Sequence, residues 1–302
     1  MTAAGPAAPS AVQPAIHDIG YQRYTGPRLG RAAVWRALAV DGLRGSFGLG
    51  RSAGAKVWPW LLLAFATLPT IVIVVVASVA GQFTGGLPVS PAQYLGQVLT
   101  VIAVFVAVLA PRAVSRDLRF RTVPLYLSRP MSRTDYVTAK LAAMTGAVLV
   151  IAAVPVTVLA LGALLAEQPW RETAESWLAG MVTAVLAAVL LATTGLAIAA
   201  WTPRRGLGTA VVVGYFIVTS AVAGVATGLT FDRGGDVVGY VQGLSPLTVV
   251  PALASWIEGT PLGPTGEEVP TPVGLALLGA WALTVLLALA VLAVRYRRVS
   301  AS

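Results

Sequence analysis

Long apolar stretches joined by short polar connections set the pattern of this chain. Six of them are long enough to cross a hydrocarbon core of about 30 Å, which takes about 20 helical residues. They lie near 57–80, 94–111, 139–166, 175–201, 207–230 and 272–294. The third exceeds a perpendicular crossing and is expected to tilt or to extend into the cytoplasm. The pattern predicts an all-α membrane protein: six transmembrane helices forming one domain over 28–302, after a flexible cytosolic tail over 1–27. That tail holds Pro6, Pro9, Pro14 and Pro27 and no apolar run, so it does not read as a signal peptide.

Two shorter segments modify this plan. Over 28–41, Val34, Trp35 and Leu38 form one apolar patch beside Arg31 and Arg36, which predicts a helix before the first span. It is read either as an interfacial helix on the inner leaflet or as a plain basic flank. Beyond Asp41 the pattern turns ragged, with Gly42, Gly45, Gly48 and Gly50. Segment 236–258 is apolar but interrupted by Gly239, Gly243, Pro246 and Pro251. Its prolines argue against one continuous helix, and it reads as outer half-helices, interfacial or re-entrant, between spans five and six. Irregular backbone at membrane depth is tolerated where protein buries it.

Charge gives the orientation. Of the 21 basic residues, all but Arg171 and Arg233 fall in segments on one side of the proposed spans. The loops that carry those two also hold Glu167, Glu172, Glu175, Asp232, Asp236, Glu258, Glu267 and Glu268. The positive-inside rule then places both termini in the cytoplasm. Trp58, Trp60, Trp177 and Trp201 lie near proposed span ends, as an aromatic belt requires, while Trp281 lies within the last span.

Composition narrows the chemistry. The chain is 57% hydrophobic and 11% charged, against about 25% charged in soluble domains. Its net charge of +9 is spread between apolar runs, so it reads as a topology signal and not as a nucleic-acid surface. There is no cysteine, and His17 in the tail is the only histidine. Thiolate sites, an intramembrane zinc site and a Ser-His-Asp triad are therefore excluded. No span carries a charge in its central part. That weighs against ion-coupled transport, voltage sensing and intramembrane hydrolysis, which need ionisable groups at depth. A phosphate-binding loop needs Gly-Lys followed by Ser or Thr. Here Lys56 precedes Val57 and Lys140 precedes Leu141. The chain is thus not expected to be an enzyme or to hold a cofactor, and any ATP hydrolysis falls to another polypeptide.

The loop between spans two and three is the richest cytosolic feature. Arg112, Arg116 and Arg119 are spaced as one helical face, and Arg121 follows. Pro124 and Pro130 bracket Leu125, Tyr126 and Leu127, an apolar tip in a basic loop. Ser132-x-x-Asp135 is a capping-box start for the third span. Two occupants suit the tip: a groove on a cytosolic partner, or the inner membrane surface. Among polar groups at depth, Thr193, Thr194, Thr219 and Ser220 are candidates for a substrate route, although such hydroxyls often bond back to their own helix. Gly224-x-x-x-Gly228 is read first as a packing face within the subunit and second as a dimerisation face.

The stretch Ser128-Arg129-Pro130-Met131-Ser132-Arg133, with Lys140 opening the next span, resembles permease subunits of ABC-2-type transporters. Ser245-Pro246-Leu247 is similar to the Ser-Pro that opens their outer helices. Ile16 to Tyr21, Tyr24 to Arg28 and Gly48 to Ser52 resemble N-terminal regions of actinobacterial members. The acid and Gly-Thr common ahead of the leucine-rich segment are matched here by Thr122 alone. The resemblance implies a multi-pass protein of a bacterial cytoplasmic membrane, energised by a separate ABC ATPase. That ATPase would dock on the 112–140 loop through Arg116, Arg119, Arg121, Leu125, Tyr126, Leu127, Ser128, Arg129, Pro130 and Arg133. It also implies a second permease, identical or homologous, and membrane lipids as further partners. An apolar lining favours a lipid-like, hydrophobic or peptide substrate. The alternative is a non-transporting membrane anchor that recruits a cytosolic partner through the same loop.

Overall fold

The computed structural model describes residues 26, 29–79, 88–119, 131–202, 205–262 and 266–298, with side chains for all of these except 79, 115–119, 205, 233 and 298. Nine α-helices run through them. Helix α1 is Arg31–Ser46, α2 Ala53–Val79, α3 Pro91–Arg119, α4 Arg133–Leu165 and α5 Trp170–Trp201. Then follow α6 Arg205–Thr230, α7 Gly235–Val241, α8 Pro246–Glu258 and α9 Thr271–Arg298. Six of them (α2, α3, α4, α5, α6 and α9) are long and apolar enough to cross a membrane. The chain is a multi-pass helical membrane protein. Most of these helices start before the apolar runs, because their polar end turns are helical too. The third is the longest at 33 residues, about 50 Å at 1.5 Å per residue and well beyond a perpendicular crossing.

The six are not equivalent. Two-thirds of the apolar window of α3 and of α5 is buried in the protein, against about a fifth in α2, α6 and α9 (22%, 17% and 22%). Helices α3 and α5 form the centre of the bundle, with Leu95, Leu99, Ile102, Val106, Leu190, Leu191 and Leu196 in its core. Helix α4 packs on both of them.

The helix before the first span is longer than the sequence pattern predicts: it continues through Gly42 and Gly45 to Ser46. A Cβ on Gly42 would lie 2.8 Å from the Ala143 methyl. The glycine that makes the pattern ragged is what lets α1 approach α4. Helix α1 pairs with α4 in step, Arg31 with Asp135, Trp35 with Thr138 and Leu43 with Gly146. Such matched offsets mean that α1 follows α4 along its length, whereas a helix lying flat across it would touch at one point. The chain then reverses at Gly48, whose φ of +69° and the Ala55 carbonyl, 2.6 Å from where a Cβ would stand, admit only glycine. Phe47 is buried against Phe105 at 6.0 Å and Trp60 at 6.3 Å, which pins this turn to α2 and α3.

Segment 236–258 forms two short helices, α7 and α8, joined by a 3-10 turn at Gln242–Leu244. The break falls at Ser245-Pro246, where Ser245 caps α8 by accepting from the Leu247 N–H and Pro246 takes the first turn. Pro251, expected to interrupt the segment, lies inside α8 instead. Its ring sits against Gly96 of α3. The absence of a side chain at Gly96 is what lets the ring approach α3 this closely.

Candidate functional site

The basic loop singled out by sequence joins α3 to α4. Helix α3 runs on through Arg112 to Arg119. Its register therefore keeps positions 112, 116 and 119 on one helical face; Arg116 and Arg119 are described in backbone only. Arg121, Leu125, Tyr126, Leu127, Ser128, Arg129 and Pro130 lie outside the described residues. The loop reappears at Met131, which is buried, and Arg133 opens α4 exposed.

The far anchor of the loop is well built. Ser132 caps α4 with the predicted reciprocal pair: its hydroxyl accepts from the Asp135 N–H at 3.2 Å, and Asp135 accepts from the Ser132 N–H at 2.8 Å. Arg31 of α1 reaches across and grips Asp135 with two nitrogens, Nη2 at 2.7 Å and Nε on the other oxygen, while Nη2 also donates to Ser132 at 3.0 Å. This bidentate fork is the stronger form of an ion pair. Trp35 adds a bond from Nε1 to Thr138 at 3.0 Å. One turn further, the Lys140 ammonium stands over the Tyr136 ring at 5.5 Å, and Tyr136 packs on Tyr296 of α9 at 5.6 Å. The loop thus enters α4 at a place where α1, α4 and the end of α9 converge. The capping box was legible in the sequence. Its clamp by Arg31, about a hundred residues earlier, was not, because a long-range ion pair leaves no local pattern.

The four hydroxyl residues divide into two groups. Thr193 and Thr194 are buried in α5 and donate to carbonyls of their own helix, Val189 at 2.7 Å and Leu190 at 2.7 Å. They are satisfied locally. Thr219 and Ser220 of α6 meet the cap of α8: Ser220 lies 3.1 Å from the Ser245 hydroxyl, which donates to Thr219 at 3.3 Å. Gln242 donates to Thr227 at 3.1 Å in the same seam. Here Ser245 serves at once as helix cap and as a tie between α6 and α8.

One group escaped the sequence reading. Glu258, taken only as part of an acidic loop, closes α8 beside the start of α3. Ser90, which caps α3 by accepting from the Gln93 N–H, donates its hydroxyl to Glu258 at 2.5 Å. The second carboxylate oxygen is buried with no hydrogen-bond partner among the described residues. Burial pushes the Glu258 carboxyl above its usual range, and the Ser90 hydroxyl and the Ala92 amide pull the other way. Beside Ser90 a cavity of about 170 Å³ opens between α3, α4 and α5, with Thr173 and Ser176 in its polar wall and Leu159 and Ala163 in its apolar one.

A second cavity, of about 570 Å³, lies between α5, α6 and α9. Compared with known proteins, the chain matches no family model and no curated relative.

Proposed function

We propose that the chain is the membrane-spanning permease subunit of an ATP-driven exporter of the ABC-2 type, with both termini in the cytoplasm of a bacterium. A separate ATPase would dock on the 112–140 loop. The observation that carries the reading is the way this loop is mounted. A basic helix end and a capped, doubly clamped helix start hold its two ends, and the segment between them bears Leu125, Tyr126 and Leu127. A loop fixed at both ends can pass a push from a partner into two helices at once, and α3 is at the centre of the bundle. The resemblance of 128–133 to the ABC-2 loop supports the same reading. Helix α1, tied to α4 through Arg31, would brace the docking surface. Helices α7 and α8 would cover the outer end.

A second permease copy completes the route, and α6 supplies a face for it. A Cβ on Gly214, Gly224 or Gly228 would meet nothing within 4 Å among the described residues. The Gly224-x-x-x-Gly228 pair does not pack inside the subunit, contrary to the first expectation, and is left open for close approach of another helix.

The test is capture of the partner ATPase by the full chain in detergent, with Leu125→Ala, Tyr126→Ala and the double variant. Loss of capture and of coupled transport, with normal insertion, supports the reading. Unchanged capture and transport would overturn it. Capture without any transport by the unaltered chain would favour a membrane anchor.

A further inference from the structure

We infer that the cleft between α5, α6 and α9 holds one acyl chain of an anionic phospholipid, with the headgroup at Arg295. The cleft of about 570 Å³ is lined by Ala197, Ile198, Val211, Leu287 and Val291, with Trp201 at one end. Cavities of roughly 300–1,000 Å³ hold small molecules. Three threonines also line it, and their hydroxyls are already used. Thr194 donates to Leu190, Thr202 to Ile198 and Thr284 to Ala280, each on its own helix. What the threonines show to the cleft is therefore apolar; Tyr215 of α6 adds a phenol to an otherwise hydrocarbon wall, and the cleft suits a hydrocarbon tail more than a polar solute.

Its position fits a chain entering from one leaflet. It runs from Thr194 to Thr202 along α5 and its C-cap, and from Thr284 to Val291 on α9. Stretches of this length span about 10–12 Å of helix, within the depth of roughly 15 Å of one leaflet. The end that holds Trp201 is the end at which α5 and α9 finish and α6 begins. Trp201 is half exposed there, as a tryptophan at headgroup level is.

The charge stands at that same end. Arg295 lies over the Trp201 ring at 5.4 Å, and its Nε donates to the Ala200 carbonyl at 3.0 Å. These two contacts fix the guanidinium at the mouth of the cleft. Its terminal nitrogens have no acidic partner among the described residues. A phosphate there would supply the missing charge, with the two nitrogens matching two of its oxygens. An oriented cation above an apolar slot selects an anionic two-part ligand over a zwitterionic one.

Native mass spectrometry of the delipidated full chain, with added phosphatidylglycerol or phosphatidylcholine, tests this. One phosphatidylglycerol per chain should bind about fivefold tighter than phosphatidylcholine, the factor one arginine near a charged surface provides. Arg295→Gln should abolish the preference, and Arg295→Lys should keep most of it. Val291→Trp, or Leu287→Trp if the first fails to insert, should fill the cleft and weaken both lipids. Both sites are exposed at 40% and 58%, so neither change disturbs the core. Leu229→Trp, on α6 outside the cleft, should change nothing. Equal binding of the two lipids, or binding unaffected by both cleft-filling variants, would overturn the inference. Competition by inorganic phosphate as effective as by lipid would also overturn it. So would an efficient crosslink between copies of Val291→Cys, which would place a second subunit in the cleft.

Discussion

Asp135 meets three partners at the first turn of α4: the Ser132 backbone, the Ser132 hydroxyl and the Arg31 guanidinium. The hydrogen bond to Asp135 raises the Arg31 pKa, and the bond from Arg31 lowers that of Asp135, so each partner favours the charged form of the other. Ser132→Ala removes the cap and should cost about 1 kcal/mol in thermal unfolding. Arg31→Gln should loosen α1, read as faster amide exchange over 31–46 with α4 unchanged. Glu258 behaves in the opposite sense. Burial raises its folded pKa above the ordinary carboxylate value of 4.5, so the folded state holds the proton more tightly than the unfolded state. The stability gained is fully present below that ordinary value and is lost as pH rises through the folded pKa. Melting temperature should therefore fall on going from mildly acidic to neutral pH. Glu258→Gln, which keeps an acceptor for the Ser90 hydroxyl, should flatten that slope; a slope unchanged in the variant would exclude Glu258 as its source. The capping box was readable from Ser132-x-x-Asp135 alone. The Glu258–Ser90 pair was not, since its partners are separated by most of the chain.

Glycines separate packed faces from open ones at the scale of elements. Gly274 of α9 lies directly under the Trp256 ring of α8, with no room for a methyl group. Gly274→Ala should therefore overpack this seam and cost about 1–3 kcal/mol. Gly224→Leu on α6 meets open space among the described residues and should leave the unfolding free energy within about 0.5 kcal/mol of the unaltered chain. The same change should reduce self-association in membranes, measured by energy transfer between labelled copies. Retained association would remove α6 from the subunit interface. From the sequence, Gly224 and Gly274 look alike: both lie in apolar helical runs. Only the neighbours differ. Trp281 gives a further case. Its place in the middle of α9 does not suit a belt, and its Nε1 donates to the Leu186 carbonyl of α5 at 3.0 Å, stapling two helices.

For the whole molecule, orientation is the property to test, and a chain without cysteine is suited to labelling. Single cysteines at Val89, Glu172 and Glu267 should react with an impermeant reagent from outside, and cysteines at Arg121, Arg204 and Ser302 only after permeabilisation. Outside labelling at Ser302 would overturn the six-span arrangement. The amino-acid sequence by itself determined the number of crossing helices, their approximate limits, the start of α4 and the break before α8. These follow from length against bilayer thickness, from capping chemistry and from proline, all of them local. Tertiary structure alone decided that α3 and α5 occupy the centre while α2, α6 and α9 lie outside. It alone also decided that α1 follows α4, that Glu258 meets Ser90, and that a cleft opens beneath Arg295. The reason is physical. Lipid tails and a protein interior are equally apolar, so a helix facing either has much the same composition, and hydropathy cannot tell the two surfaces apart.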